Sequence, residues 1–213
     1  MKHACSDTAL VLICDDDAAV RDALALVMQS ADLQARTFSS GAELLDALPP
    51  PGPACLLLDL RMPGMSGMDV QRALKEHGFN IPIIFLTAHG EIQVAVTAVQ
   101  RGALGFLEKP AFRREELLEH VHRAIAHHRK LLAQQEKESE LFALIDELSK
   151  RELQVARLAA AGKANKVIAL ELGISERTVE VHRSRAMKKL GLRSAAGLIR
   201  LEHKLERQMK LSL

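Results

Sequence analysis

The sequence predicts an α/β fold: a five-stranded, doubly wound parallel sheet, then a long linker helix, then an all-α domain of four helices. Three observations carry this reading. Short apolar runs alternate with helix-period segments through the first half of the chain, the pattern of βα units feeding a parallel sheet. Between Arg113 and Leu148 there is neither glycine nor proline, so nothing there breaks a helix. Charge then divides the chain. Residues 1–148 hold 14 Lys and Arg against 21 Asp and Glu, a net −7, whereas residues 149–213 hold 15 against 6, a net +9. An acidic front and a basic tail point to two domains, the second with a polyanionic partner.

The elements follow in order. Strand 1 is expected over 9–14 and its helix over 17–30, with Val20, Leu24 and Val27 on one face. Strand 2 covers 33–38, and Ser40 is placed to cap a helix that ends before Pro49-Pro-Pro-Gly52. Strand 3 covers 54–59; its helix runs 66–77, started near Ser66 and stopped by Gly78. Strand 4 covers 82–86 with a helix over 90–101, and strand 5 covers 104–107. The glycine-free stretch would make one helix of roughly 50 Å at 1.5 Å per residue. On it Leu118, Val121, Ile125, His128, Leu132, Gln135, Ser139 and Phe142 fall at heptad spacing, three of them polar. That leaves a weak coiled coil and a solvated interdomain helix both open. In the tail Ser149-Lys-Arg-Glu152 is a capping box, with Leu153, Ala156, Leu158 and Ala159 behind it. Helices over 165–172 and 175–190 end at Gly173 and Gly191. Ser194 caps a last helix with the stripe Leu198, Leu201, Leu205 and Met209.

Composition excludes several classes. Cys14 ends one strand and Cys55 begins another, so they would lie far apart along the strands. Buried thiols in a reducing compartment are expected, not a disulfide framework. No apolar run approaches the ~20 residues of a membrane helix, and no hydrophobic leader precedes Asp7. The expected location is the cytoplasm, away from membranes. His120, His122, His127 and His128 contain no i,i+4 pair, which argues against a helical metal site.

The residues with chemistry sit at strand ends. Asp15 and Asp16 follow strand 1, Asp59 ends strand 3, Thr87 follows strand 4 and Lys109 follows strand 5. In a doubly wound sheet those ends share one edge, where ligands bind. Three carboxylates, a hydroxyl and an ammonium suit Mg²⁺ and a phosphoryl group. A carboxylate at Asp59 can attack phosphorus and form an acyl phosphate. Asp16 would ligate Mg²⁺ directly and Asp15 through water, because Mg²⁺ keeps several waters and takes one or two carboxylates. Lys109 offers a mobile point charge to a phosphate oxygen, and Thr87 a hydroxyl donor.

The strings Ile13-Cys-Asp-Asp-Asp17, Asp59-Leu-Arg-Met-Pro-Gly-Met-Ser-Gly67, Phe85-Leu-Thr-Ala-His-Gly90 and Leu107-Glu-Lys-Pro110 together resemble the receiver domain of bacterial two-component response regulators. The resemblance spans residues 9–128. It implies Asp59 as phosphoacceptor, Asp15 and Asp16 as the acid pair, the backbone carbonyl of Arg61 as a further Mg²⁺ ligand, and a cis Lys109–Pro110 bond. It also implies Thr87 and Phe106 as a switch pair. On phosphorylation the hydroxyl would turn toward phosphate and the ring inward, and the face of helix 4, strand 5 and helix 5 would become a dimer surface. Two departures stand out. Phe106 has no hydroxyl, so its switch would be one of packing alone. Ala111 stands between Pro110 and Phe112, where relatives usually have Phe directly after Pro, which changes the expected entry of helix 5. Arg61 and His89, two residues past Asp59 and Thr87, are placed to tune the water that hydrolyses the acyl phosphate, or else simply face solvent.

Residues 165–190 read as helix, tight glycine turn, helix, an arrangement that lays the second helix in a major groove. That helix carries Arg177, Arg183, Arg185, Lys188 and Lys189, with Val179, Ala186 and Leu190 facing inward. The strings Leu148-Ser-Lys-Arg-Glu152, Ala161-Gly-Lys-Ala-Asn-Lys166, Leu172-Gly-Ile-Ser-Glu-Arg-Thr-Val-Glu-Val-His-Arg183 and Lys189-Leu-Gly191 resemble the LuxR-type helix-turn-helix over about 148–202. By family position Lys166, Arg177 and Thr178 would hold phosphates, and Glu180, Val181 and Ser184 would face bases. Arg183 and Lys188 belong to the same DNA-binding set. Many relatives carry Lys at Glu180; a glutamate there can accept from a cytosine amino group. The tail has no aromatic residue, which argues against a stacking RNA reader.

Both halves together resemble response regulators of the NarL/FixJ class, with a receiver over 1–128, a helical linker over 129–147 and a DNA-binding domain over 148–213. The resemblance implies a regulator and not an enzyme. It would take a phosphoryl group on Asp59 from a sensor histidine kinase, dimerise when phosphorylated and bind double-stranded promoter DNA, with RNA polymerase as a further partner. Two recognition helices would then reach successive major grooves ~34 Å apart. Two other classes compete. A metabolite phosphohydrolase with an aspartate nucleophile commonly has a second Asp two residues on, where this chain has Arg61. A phosphorylation-independent DNA binder with a degenerate receiver is opposed by the intact acid pair.

Overall fold

The computed structural model describes residues 9–87, 92–109 and 111–192, with only the backbone for 92–95. The chain forms two compact units, Met1–Gln134 and Gln135–Leu213. In the first, β1 (Leu10–Cys14), β2 (Gln34–Phe38), β3 (Ala54–Asp59), β4 (Ile83–Thr87) and β5 (Gly105–Glu108) form one parallel sheet in the order β2-β1-β3-β4-β5. The crossovers are α1 (Ala18–Gln29), α2 (Gly41–Asp46), α3 (Gly67–Glu76) and α4 (Ile92–Gln100), and α5 (Arg114–Asp146) follows β5. The strand and helix ends lie within two residues of those expected from the sequence.

Strands covered on both faces must be apolar on both faces. Leu12, Leu56, Leu58 and Phe85 meet Leu44 of α2, Val70 and Leu74 of α3 and Ala98 of α4. On the other face Val11, Ile13, Leu57 and Ile84 meet Leu24 and Met28 of α1 and Val121 and Ile125 of α5. β2 lies at the sheet edge, and only Phe38 of its five residues is buried. Local chemistry sets the helix starts. Asp17 accepts from the Ala19 N–H (2.8 Å) to begin α1, and Ser66 and Asp69 form a capping box on α3.

The heptad stripe on α5 meets the sheet in its first half. Val121, Ile125 and His128 are buried in the first unit; 3–4 spacing serves a sheet face as well as a coiled-coil partner. His128 Nδ1 accepts the Ala54 N–H at 2.8 Å, satisfying the donor that opens β3. Burial pushes the His128 pKa below its ordinary value, and a lone pair that accepts an N–H requires the neutral ring. Ala111, which the sequence places between Pro110 and Phe112, lies in a turn, where the N–H groups of Ala111 (2.9 Å) and Phe112 (3.2 Å) both donate to the Glu108 carbonyl. The Phe112 ring still reaches the core under α5.

The second unit is helical: α6 (Lys150–Ala160), α7 (Asn165–Leu172) and α8 (Glu176–Lys189). Val155, Ala159, Ile168, Val179 and Ala186 form its centre, with Leu141, Leu144 and Ile145 from the end of α5 against it. Ser149 and Glu152 form the expected capping box. Gly173 closes α7 in the left-handed region at φ 65°, and Ser175 caps α8. The fourth helix expected from Ser194, His89, and Pro110 with its expected cis bond lie outside the described residues. No helix among the described residues is long and apolar enough to cross a membrane.

Candidate functional site

Strand register brings the acidic residues together. Cys14 pairs with Leu58, and Leu58 with Phe85. Asp15 and Asp59 therefore leave β1 and β3 side by side, where the strand order reverses. Lys109 arrives from β5, its N–H donating to the Thr87 carbonyl at 2.7 Å. The Lys109 ammonium bridges Asp15 Oδ2 and Asp59 Oδ1, the latter at 2.6 Å. Carboxylate oxygens of Asp15, Asp16 and Asp59 all lie within 4.8 Å of one another; Asp15 and Asp59 are buried and Asp16 is exposed. Thr87 is buried at the end of β4, and Phe106 is half-buried on β5. Phe85 pairs with Phe106 and Thr87 with Glu108, so Thr87 and Phe106 share one face of the sheet.

Backbone groups complete the cradle. The Arg61 N–H donates to Asp59 Oδ2 and the Asp17 N–H to Asp15 Oδ1, both at 3.0 Å. Gly67 opens α3 directly against the end of β3. Its N–H donates to the Leu60 carbonyl at 3.0 Å, and a Cβ there would collide with the carbonyl oxygen of Asp59. Sequence reasoning passed over Arg21. Its Nη1 donates to the carbonyls of Asp15 (2.8 Å) and Asp16 (3.0 Å), fixing the loop that carries the acid pair. The available signal was a cation near a helix N-terminus, where the helix dipole disfavours one.

Two buried carboxylates share one ammonium. Burial raises the Asp59 pKa from its ordinary value and the Asp15 charge adds to this, against Lys109 and the Arg61 N–H. Burial also works against the Lys109 charge, but hydrogen bonds and attraction from Asp15 and Asp59 outweigh it and raise its pKa. Such a pocket favours an added cation, and clustered carboxylate oxygens open to water on the Asp16 side fit Mg²⁺. Cys14, just beneath, is inert: burial and then Asp15 push its thiol up to about 12. Cys14 and Cys55 are both buried and unpaired.

The DNA-facing expectations fall on α8 and, for Lys166, on the first turn of α7. With Val179 and Ala186 buried, Glu180, Arg183, Ser184 and Lys188 line one groove together with Asn165, and Val181 is 42% exposed. Arg177 and Thr178 stand in the first turn, where Ser175 accepts from the Thr178 N–H at 3.1 Å. Lys166 lines a neighbouring hollow with Ser175 and Glu176. Arg183 is oriented from α7, donating to Asn165 Oδ1 at 2.9 Å. Lys189, expected on the basic face, is exposed but engaged within the domain, donating to Glu152 Oε2 (2.8 Å) and the Glu147 carbonyl (3.1 Å). Lys189 and then the Ser149 N–H hold the Glu152 carboxyl down at about 2.

A parallel sheet with acidic residues and a lysine at its strand ends, joined to a basic helix-turn-helix, defines a response regulator. The chain belongs to the response regulators with a LuxR-type tail: residues 11–122 match the response regulator receiver domain, and residues 146–201 match the luxR family of bacterial regulatory proteins. It is similar to the response regulator protein TmoT of Ectopseudomonas mendocina, 44% identical over 98% of this chain and 94% of that protein. It is also similar to the transcriptional regulatory protein FixJ of Azorhizobium caulinodans, 39% identical over 90% of each. The solved structure of the response regulator StyR matches with a TM-score of 0.80 at 40% identity, covering 92% of this chain and 99% of that one. The protein is a transcriptional response regulator; its receiver implies a sensor kinase and its tail implies DNA binding.

Proposed function

We propose that Asp59 is the phosphoacceptor and that a phosphoryl group taken there from a sensor histidine kinase controls promoter binding by α8. The observation that carries this is the Lys109 ammonium held between Asp59 and Asp15, beside the Asp16 carboxylate. A carboxylate oxygen of Asp59 attacks phosphorus of a phosphohistidine. The O–P bond forms as the P–N bond breaks, and the imidazole leaves with the electron pair. Lys109 shifts from the carboxylates toward a phosphoryl oxygen, and the Thr87 hydroxyl donates to another. Asp15, Asp16, Asp59 and the backbone carbonyl of Arg61 would hold Mg²⁺, which when bound neutralises phosphoryl charge.

Thr87 and Phe106 then act as the switch, and the phosphorylated protein dimerises through the face of α4, β5 and α5. On DNA, Lys166, Arg177, Thr178, Arg183 and Lys188 hold phosphates while Glu180, Val181 and Ser184 face base edges. The domain division at 1–128, 129–147 and 148–213 is supported by His128, the last residue of α5 buried against the sheet, and by the capping box at Ser149. The output is binding, not catalysis on a metabolite. The site of action is the cytoplasm, with RNA polymerase as the further partner at the promoter.

The test is intact-protein mass after incubation with a small phosphodonor and Mg²⁺, with Asp59→Asn in parallel, followed by gel filtration and DNA shift on the same samples. One acid-labile phosphoryl group on the wild type alone, with dimerisation and tighter DNA binding, is expected. No adduct, with equal DNA binding by both proteins, overturns the reading.

A further inference from the structure

Asparagine commonly caps helices, yet Asn165 does not cap α7. Ala164 holds the capping position and makes no side-chain bond to the helix start. Asn165 stands one residue on, half-buried, and reaches across to α8 instead. A guanidinium only donates, so the bond from Arg183 fixes the Asn165 amide with its oxygen toward Arg183.

This contact decides what Arg183 leaves alone. Residues three apart on a helix are neighbours, and opposite charges at that spacing attract. Glu180 and Arg183 have that spacing on α8 and line one groove with Asn165, Ser184 and Lys188. No ion pair joins them, and among the described residues no cation pairs with Glu180. Its carboxylate is exposed on the DNA-facing side. Phosphates repel a carboxylate, so only a donor on a base edge can hold it there. In the major groove the amino groups belong to cytosine and adenine, and adenine sets its N7 acceptor beside the amino group. Cytosine is the base a carboxylate fits.

We propose that Asn165 is a positioning residue for sequence reading: it holds Arg183 away from Glu180, and the unpaired Glu180 carboxylate selects cytosine at one position of each half-site. Arg183 keeps its other N–H donors for a phosphate oxygen. Without Asn165 the guanidinium turns to Glu180 and occupies the oxygens that read the base. The inference rests on the proposed placement of α8 in the major groove.

The test selects bound duplexes from a randomised pool with the full chain, a small phosphodonor and Mg²⁺, then measures competition between single-base variants of the selected site. The wild type should prefer cytosine by about tenfold at one position per half-site. Glu180→Gln should move that preference to adenine, which a glutamine amide matches, and Glu180→Lys should move it to guanine. Asn165→Ala should cut the cytosine preference about twofold per half-site, the effect of an exposed ion pair at this spacing. Asn165→Asp keeps an acceptor for Arg183, so it should retain the preference while weakening binding to every sequence. Arg183→Gln added to Asn165→Ala should restore the preference, because the competing cation is gone. A purely structural tie between α7 and α8 would change affinity or stability but not the base chosen.

An unchanged cytosine preference in Asn165→Ala overturns the proposal. So does a preference that both Glu180 variants leave in place. Ser184→Ala separates that failure from a wrong placement of α8. If it shifts the preference at a neighbouring position while the Glu180 variants shift none, the roles of Asn165 and Glu180 fall and the placement stands. If none of the three shifts any preference, the placement falls with them.

Discussion

Arg21 uses its guanidinium on two backbone carbonyls, not on a carboxylate. It therefore acts on the shape of the acid loop, leaving Asp15 and Asp16 to meet a cation. Arg21→Gln should weaken Mg²⁺ binding about tenfold, the effect of losing one to two hydrogen bonds from a charged donor, while DNA affinity without phosphorylation stays unchanged. Arg21→Lys should recover only part, because an ammonium lacks the planar fork. A Mg²⁺ titration followed by the amide signals of residues 15–17 reads this directly, and an unaltered dissociation constant in Arg21→Gln would sink it. At this scale Asp15, Asp59, Thr87 and Lys109 were legible because each ends an apolar run, so the strand itself announces where the side chain emerges. Arg21 and Lys189 were not. Their partners are backbone carbonyls or a carboxylate far away in sequence, and no periodicity marks such a contact.

Among the elements, α5 shows what periodicity can and cannot decide. Its 3–4 stripe was visible, but the same stripe fits a sheet or a second helix, and only the burial of Val121, Ile125 and His128 assigns it. One of the three polar members that weakened the coiled-coil reading, His128, satisfies Ala54 at the start of β3. His128→Ala should destabilise the full chain by about 1–3 kcal/mol, since it leaves a buried donor unmet; urea unfolding measures it. The pH dependence follows from the depressed pKa of the folded state. The unfolded chain takes up the proton first, so the stability tied to the neutral ring is whole above about 6.5. It is lost as pH falls from there through the lower folded value. His128→Ala should flatten that decline between pH 7 and 5, and an identical slope in both proteins would count against the capping role. Helix starts were more readable than helix faces, because Ser66, Ser149 and Ser175 each cap by a local bond that sequence alone specifies.

For the whole molecule, the acidic stretch of the sequence runs past Gln134, where the first compact unit ends, and the basic tail lies wholly in the second, where the positive charges are not interchangeable. Lys188 is exposed on the groove it shares with Glu180 and Ser184, whereas its neighbour Lys189 closes the α6–α8 ion pair. Lys188→Gln should weaken DNA binding about equally across sequences and reduce the slope of log affinity against log salt by about 1. Lys189→Gln should leave that slope alone and lower stability instead; DNA binding measured across a salt series separates the two, and equal slope changes would refute the distinction. The loops at the phosphorylation edge also differ in how much length they tolerate. After β5, the chain is gathered by two N–H groups, of Ala111 and Phe112, converging on the Glu108 carbonyl. After β3 there is no such slack, because Gly67 is tied to Leu60 and pressed against the Asp59 carbonyl. Variation in chain length across this edge should therefore accumulate beside Lys109 and be refused beside Asp59, so the two sides of one pocket evolve under different rules.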